Sequence, residues 1–147
     1  MEQDKKQAFL RAVSLAAAGG LAYNLVELCW RGRTHWTMTL VGGLCFHLIG
    51  RIFADRASKG TFLCCLQSAA AVTAVELLSG CVINLWWRMQ VWDYSRQWGN
   101  LAGQICLLYA VLWMGLSLPA AYLYRRLGKA VDAYLGKRHK RTQNVIE

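Results

Sequence analysis

The sequence predicts an all-α membrane protein with four transmembrane helices, both termini in the cytoplasm and a basic C-terminal tail. Three observations carry this. The apolar residues, 56% of the chain, gather into four blocks, each near the ~20 residues that a helix needs to cross about 30 Å of hydrocarbon. The blocks lack the polar stripe that a water-facing helix shows on every turn. Lys and Arg are divided unequally between the segments joining the blocks, as the positive-inside rule requires of a multi-pass protein. The chain divides accordingly into a four-helix transmembrane domain, 1–124, and a basic tail, 125–147.

The first span covers 9–30. It begins close to the N-terminus without a clear small-residue cleavage site, which predicts a retained helix rather than a signal peptide. Ala16, Gly20, Asn24 and Glu27 share one of its faces. The small residues there let a second helix approach closely. A turn rich in Arg and Trp, Arg31-Gly32-Arg33-Thr34-His35-Trp36, leads to the second span at 37–54, which holds Gly42-Gly43 early and His47 and Arg51 late. Those last two read as side chains that snorkel to the membrane surface. A polar hinge, 55–60, precedes the third span at 62–87. There Thr73, Glu76, Gly80 and Asn84 share a face. A short aromatic connector follows, and the fourth span is read at 101–124. Gly99 and Gly103 form a GxxxG pair at its start, and Gln104 lies one turn in, placed to bond another helix. Pro119 falls four residues after Gly115, which has no side chain to clash with the ring, so a kink is tolerated. The tail alternates Arg125, Arg126, Lys129, Lys137, Arg138, Lys140 and Arg141 with Leu127, Val131, Tyr134 and Leu135. This pattern has two readings, an amphipathic helix on an anionic leaflet and an extended solvated tail.

Counting Lys and Arg fixes the expected orientation. The N-terminus, the middle hinge and the tail together hold thirteen, and the two Trp-rich turns hold four, namely Arg31, Arg33, Arg88 and Arg96. The thirteen belong inside, which predicts a cell inner membrane protein with its Trp-rich turns at the outer interface. The net charge of +9 is thereby assigned to topology and lipid headgroups, not to nucleic acid. All six cysteines lie in or beside apolar blocks without a CxxC pair, so they read as packing residues rather than disulfides or metal ligands. The two halves share a loose plan of acid-bearing span, Trp/Arg turn and Gly-containing second span, as a duplicated hairpin would.

Two glutamates are the sharpest chemical signals. A carboxylate facing hydrocarbon costs several kcal/mol, so intramembrane acids face a bundle interior or a hydrated cavity. At ~1.5 Å per residue, Glu27 and Glu76 both fall in the outer half of their spans. One reading is a polar cavity lined by Asn24, Glu27, Glu76, Asn84 and Gln104 that takes a cation, a proton or an amine. The other is structural, with Glu27 paired to Arg31 one turn on and Glu76 satisfied by Arg88, Gln104 or backbone. Trp92-Asp93-Tyr94-Ser95 is the second candidate. Asp93 is placed to close an Asx turn onto Ser95, which favours an interfacial turn pinned by aromatic rings. Gly20, Gly80, Gly99 and Gly103 are the candidate helix-packing positions. No HExxH, GxSxG or phosphate-loop motif is present. The expectation is a protein that is not an enzyme and has neither cofactor nor metal. Any ATP-driven work would belong to a separate ATPase chain.

The runs Gly80-Cys81-Val82-Ile83-Asn84-Leu85-Trp86, Val91-Trp92-Asp93-Tyr94-Ser95 and Asn100-Leu101-Ala102-Gly103-Gln104-Ile105-Cys106-Leu107, followed by Trp113, resemble a family of small bacterial membrane proteins labelled type IV ABC-transporter permeases. Glu27, Trp30-Arg31-Gly32, Thr34-His35-Trp36 and Val41-Gly42-Gly43-Leu44-Cys45 resemble the N-terminal hairpin of that family. The resemblance covers about Gly20 to Leu118 and leaves out the tail. It implies the four-helix fold and a role as a permease subunit. Because four helices are few for a permease, it also implies a homo-oligomer or other membrane proteins as partners, with a separate ATPase subunit. The alternative is a non-transporting scaffold or regulator of envelope processes that binds other membrane proteins through its helix faces. An intramembrane enzyme is the most distant reading, with only Glu27 and Glu76 to serve it.

Overall fold

The computed structural model describes residues 2–54 and 56–146, with the side chains of 3 and 137–146 excepted. Its described elements are α1 (Glu2–Arg31), α2 (Trp36–Ala54), a short α3 (Arg56–Lys59), α4 (Thr61–Gly80) continued by a π-helical turn (Cys81–Trp86), and α5 (Leu107–Ile146). Four helical stretches are long and apolar enough to cross a membrane: Asp4–Arg31, Trp36–Ala54, Thr61–Trp86 and Leu107–Gly136.

The ends of the helices are set by local chemistry. At the end of α1, Gly32 adopts φ 67° and its N–H reaches the Leu28 carbonyl at 3.0 Å. This is the left-handed glycine stop that satisfies an orphan carbonyl. Gly60, at φ 80° and ψ 158°, separates α3 from α4 in a conformation open to glycine. Arg56–Lys59 thus forms one helical turn inside the hinge, while Asp55, also assigned to the hinge, lies outside the described residues.

Helix α2 is the hub, packing on α1, α4 and α5; α5 also touches α1 and α4, whereas among the described residues α1 and α4 do not pack on each other. The α1–α2 contact is a backbone-to-backbone approach. A Cβ on Gly20 would collide with the Thr39 carbonyl, and one on Gly43 with the Ala16 carbonyl. The two glycines therefore sit one turn apart along the same antiparallel seam. Dispersion contacts and small side chains, not hydrophobic exclusion, hold such seams together in lipid. The main core joins Cys45, Ile49 and Phe53 of α2 to Cys64, Cys65 and Val72 of α4 and Ala121 of α5. A second cluster joins Leu15, Phe46 and Tyr124. A third, of Met38, Ile83 and Trp92, seals the end of the bundle where the connector lies. Large apolar side chains such as Phe9, Leu25, Leu40, Phe62, Leu78 and Val111 point outward, the reverse of a water-soluble surface. Trp30, Trp36, Trp86, Trp87 and Trp98 are exposed and sit in or beside the two turns at one end, the arrangement of an interfacial aromatic belt.

Three expectations from the sequence need correction. The fourth helix begins at Leu107, not at 101. Gly99, Ala102 and Gly103 all have positive φ (66°, 52° and 68°), and a right-handed helix cannot pass through them. Asn100 holds this turn. Its amide donates to the carbonyls of Ser95 and Gln97 and accepts from Gly103 N–H, the local competition with helix that Asn offers. Gly99 and Gly103 therefore form no helical GxxxG face, and Gln104 lies in the connector. The loose likeness between halves ends here as well, because Gly42-Gly43 are helical and their supposed counterparts, Ala102-Gly103, are not. Beyond 124, α5 continues into the tail as a helix, one of the two readings of that pattern, running through Pro119 and onward along α1. Arg11 Nε and Asp132 Oδ1 meet there at 2.7 Å, and Leu127 and Val131 pack toward Leu15. The side chains of Lys137, Arg138, Lys140 and Arg141 lie outside the described residues.

Candidate functional site

The polar residues picked out in the sequence lie toward the Trp-rich end, but they do not line one cavity. Among the described residues they fall into two bonded networks and one isolated carboxylate.

The first network closes the α1–α2 turn. Asn24 and Glu27, one turn apart on α1, face Thr34 and Thr39. Asn24 Nδ2 donates to Thr39 Oγ1 at 2.7 Å. Thr34 Oγ1 lies 2.6 Å from Glu27 Oε2 and 3.2 Å from Asn24 Oδ1. A hydroxyl has a single proton, and the shorter distance assigns it to the carboxylate. Arg31 pairs with Glu27 one turn on and extends to the Val91 carbonyl at 3.4 Å. Glu27 is thus a buried acid with a fixed counter-charge, as its structural reading anticipates.

The second network organises the connector. The π-helical turn turns both Ile83 and Asn84 inward. Asn84 Nδ2 donates to the Trp92 carbonyl at 2.9 Å and to Gln104 Oε1 at 2.8 Å, while Asn84 Oδ1 accepts from Val91 N–H at 2.7 Å. The Trp92 indole donates to the Gln104 carbonyl at 3.0 Å, and Gln104 Nε2 donates to the Ala102 carbonyl. Tyr94 N–H bonds Gly103 O at 2.7 Å. Asp93 closes an Asx turn, accepting Ser95 N–H at 2.8 Å and the Ser95 hydroxyl at 3.0 Å. These two bonds hold the exposed Asp93 carboxyl below the usual carboxylate range, the backbone N–H contributing most. Burial raises the Tyr94 phenol, with Glu76 adding to the effect, and its ring stacks on Tyr109 at 4.5 Å. Trp92, Asp93, Tyr94 and Ser95 are therefore the frame of a cap over the bundle. Gly80 lets that cap seat, because a Cβ there would come 2.5 Å from Gln104 Oε1.

Glu76 stands apart. It is 5% exposed on the inner face of α4, and among the described residues its carboxylate makes no ion pair and accepts no hydrogen bond. The partners expected of it, Arg88 and Gln104, are elsewhere: Arg88 is exposed in the connector and Gln104 is committed to Asn84. The Trp113 indole N–H lies beside the carboxylate without completing a hydrogen bond, and Thr73 Oγ1, one turn earlier, is a second buried polar atom without a partner. Tyr23, Cys45 and Tyr94, from α1, α2 and the connector, all lie within electrostatic reach of Glu76. The Tyr23 and Trp113 rings are 5.8 Å apart. Sequence reasoning found Glu76 but not this surround. Tyr23 is a single aromatic in an apolar helix, and nothing in the order of residues places it near Trp113. Among the described residues no cluster of three or more His, Cys, Asp or Glu is built to hold a metal ion, and all six cysteines are free.

Four spanning-length helices with an outward apolar surface, a Trp belt and a capped, acid-bearing interior define a multi-pass helical membrane protein. The chain matches the family described as "Putative ABC-transporter type IV" over residues 26–146 and belongs to it. The match reaches through the tail, beyond the stretch ending near Leu118 in which the motifs resemble that family. No curated protein and no solved structure matches the chain.

Proposed function

We propose that the chain is the membrane-embedded permease subunit of a transporter, working as an oligomer or beside a separate ATPase chain, and that it is not itself an enzyme. The observation that carries this reading is Glu76. A structural acid in a membrane protein is paired, as Glu27 is with Arg31, whereas an unpaired one marks a place where something else brings the charge. Membership of a transporter-related family supports the same reading. Both termini are placed in the cytoplasm of a cell inner membrane protein, supported by thirteen Lys and Arg against four across the segments. The hinge around α3 and the basic tail then face the cytoplasm and are the surface on which an ATPase would act.

A second reading, a non-transporting scaffold that binds envelope proteins, is favoured by the cap. Its polar groups are committed to one another, and Trp86 and Trp98 stand exposed on it. Tagged purification from native membranes in mild detergent separates the two readings. A stoichiometric ATPase chain, with activity lost in Glu76→Gln, supports the permease. Recovery of envelope proteins without an ATPase, and indifference to Glu76→Gln, supports the scaffold.

A further inference from the structure

We propose that Glu76 is the counter-ion of a small organic ammonium ion, held between its carboxylate and the rings of Tyr23, Tyr94 and Trp113 beneath the cap. The proposal gives the permease reading a substrate class and rests on it for the direction of use, but the binding itself stands on the geometry alone.

Three independent features meet at this place. The first is the carboxylate, 5% exposed and without a counter-charge among the described residues. A buried charge is tolerated when it is paired, and the titratable groups that face it from α1, α2 and the connector are Tyr23, Cys45 and Tyr94, none of which is a cation. The second feature is the pair of unmet polar atoms beside it, Trp113 Nε1 and Thr73 Oγ1. Buried polar atoms are nearly always satisfied; the indole N–H needs an acceptor, which the hydroxyl of a hydroxyalkylammonium such as choline supplies and its cationic nitrogen does not. The third is the ring content. Tyr23 and Trp113 lie 5.8 Å apart, and Tyr94 is held by its stack on Tyr109. A carboxylate with aromatic faces is the chemistry that selects an alkylammonium over a hydrated metal ion, because the ring quadrupoles compensate the lost hydration of a diffuse cation. The π-helical turn begins five residues after Glu76, and such turns concentrate at functional sites.

The probe is radiolabelled choline, measured by equilibrium dialysis against the purified full-length chain in mild detergent, with its uncharged carbon isostere dimethylbutanol as competitor. The expected result is saturable binding that dimethylbutanol does not displace. Glu76→Gln should weaken it by about tenfold or more, and Trp113→Leu should weaken it more than Trp113→Phe, since a ring and a counter-charge each contribute on the order of 1 kcal/mol or more. Each variant is checked by thermal unfolding. If one fails to fold, competition by the isostere on the unmodified chain decides. Absence of saturable choline binding, equal displacement by dimethylbutanol, or unchanged binding in folded Glu76→Gln overturns the proposal. An ATPase partner without choline binding removes only the ammonium site. Choline binding without any ATPase partner removes only the ATP-driven permease.

Discussion

Replacing Asn84 by Leu is the sharpest test of the cap. Asn84 is 7% exposed and makes three bonds, to Val91 N–H, the Trp92 carbonyl and Gln104 Oε1. Leu has a similar volume, so the loss is one of hydrogen bonding rather than packing. It leaves three partners with nothing to bond. At about 1 kcal/mol for each orphaned neutral group the loss is about 3 kcal/mol, and the weaker average of about 0.6 kcal/mol found for bonds inside membrane proteins lowers it to about 2 kcal/mol. Asn24→Leu provides the internal comparison. Its partners, Thr34 and Thr39, are hydroxyls that can rotate toward other acceptors, so its loss is about 1 kcal/mol. The assay is reversible unfolding in mixed micelles with increasing SDS, followed by circular dichroism, together with limited proteolysis of the connector. Asn84→Leu should lose the most stability and become cleavable between 87 and 106. An Asn84→Leu protein within about 0.5 kcal/mol of the parent, or one less affected than Asn24→Leu, would refute the cap as a bonded unit.

Other consequences follow from the same contacts. Gly43→Val should force α1 off α2, because its Cβ meets the Ala16 carbonyl; about 1–3 kcal/mol is expected for such overpacking, read in the same SDS titration. Arg31→Ala strips a buried acid of its partner. With Arg31 partly solvated the cost is about 1–2 kcal/mol, and it should shrink when Glu27→Gln is added, which a double-mutant cycle measures. Asp93 titrates below its ordinary value of 3.8. Its contribution to stability is therefore present above pH 3.8 and lost as pH falls through the lower native value. Ser95→Ala removes the hydroxyl bond but leaves the larger backbone one, so carboxyl NMR should show only a partial rise toward 3.8.

The spans were legible because length and apolarity suffice to identify them: a helix satisfies its own backbone, and lipid accepts the rest. The connector was not. Asn100 to Cys106 reads as the start of a helix because Gly99 and Gly103 are spaced like a packing motif, yet both have positive φ, and so does Ala102, a residue whose type gives no sign of it. The polar residues were legible as a set, whereas their partners were not. Whether Gln104 lines a cavity or closes a cap depends on the path of the chain over the 20 positions that separate it from Asn84. Glu27 and Arg31 were readable as a pair because one helical turn fixes their separation, and nothing so local fixes what surrounds Glu76.

That contrast yields a prediction separating a structural acid from a functional one. Glu27 and Glu76 are equally buried, both 5% exposed, but among the described residues only Glu27 has a cation beside it. Neutralising Glu27 orphans the Arg31 guanidinium and should destabilise the protein. Neutralising Glu76 orphans no charge among the described residues and removes one that is unpaired among them. Glu76→Gln should therefore unfold at a temperature equal to or above that of the parent, the pattern expected where a group is retained for function at the expense of stability. The measurement is thermal unfolding of the two single variants side by side in one detergent. If Glu76→Gln melts lower, by the margin seen for Glu27→Gln, then Glu76 holds the fold together through a partner of its own. The permease reading would then lose the observation that carries it, while choline binding to the unmodified chain would still decide the ammonium site.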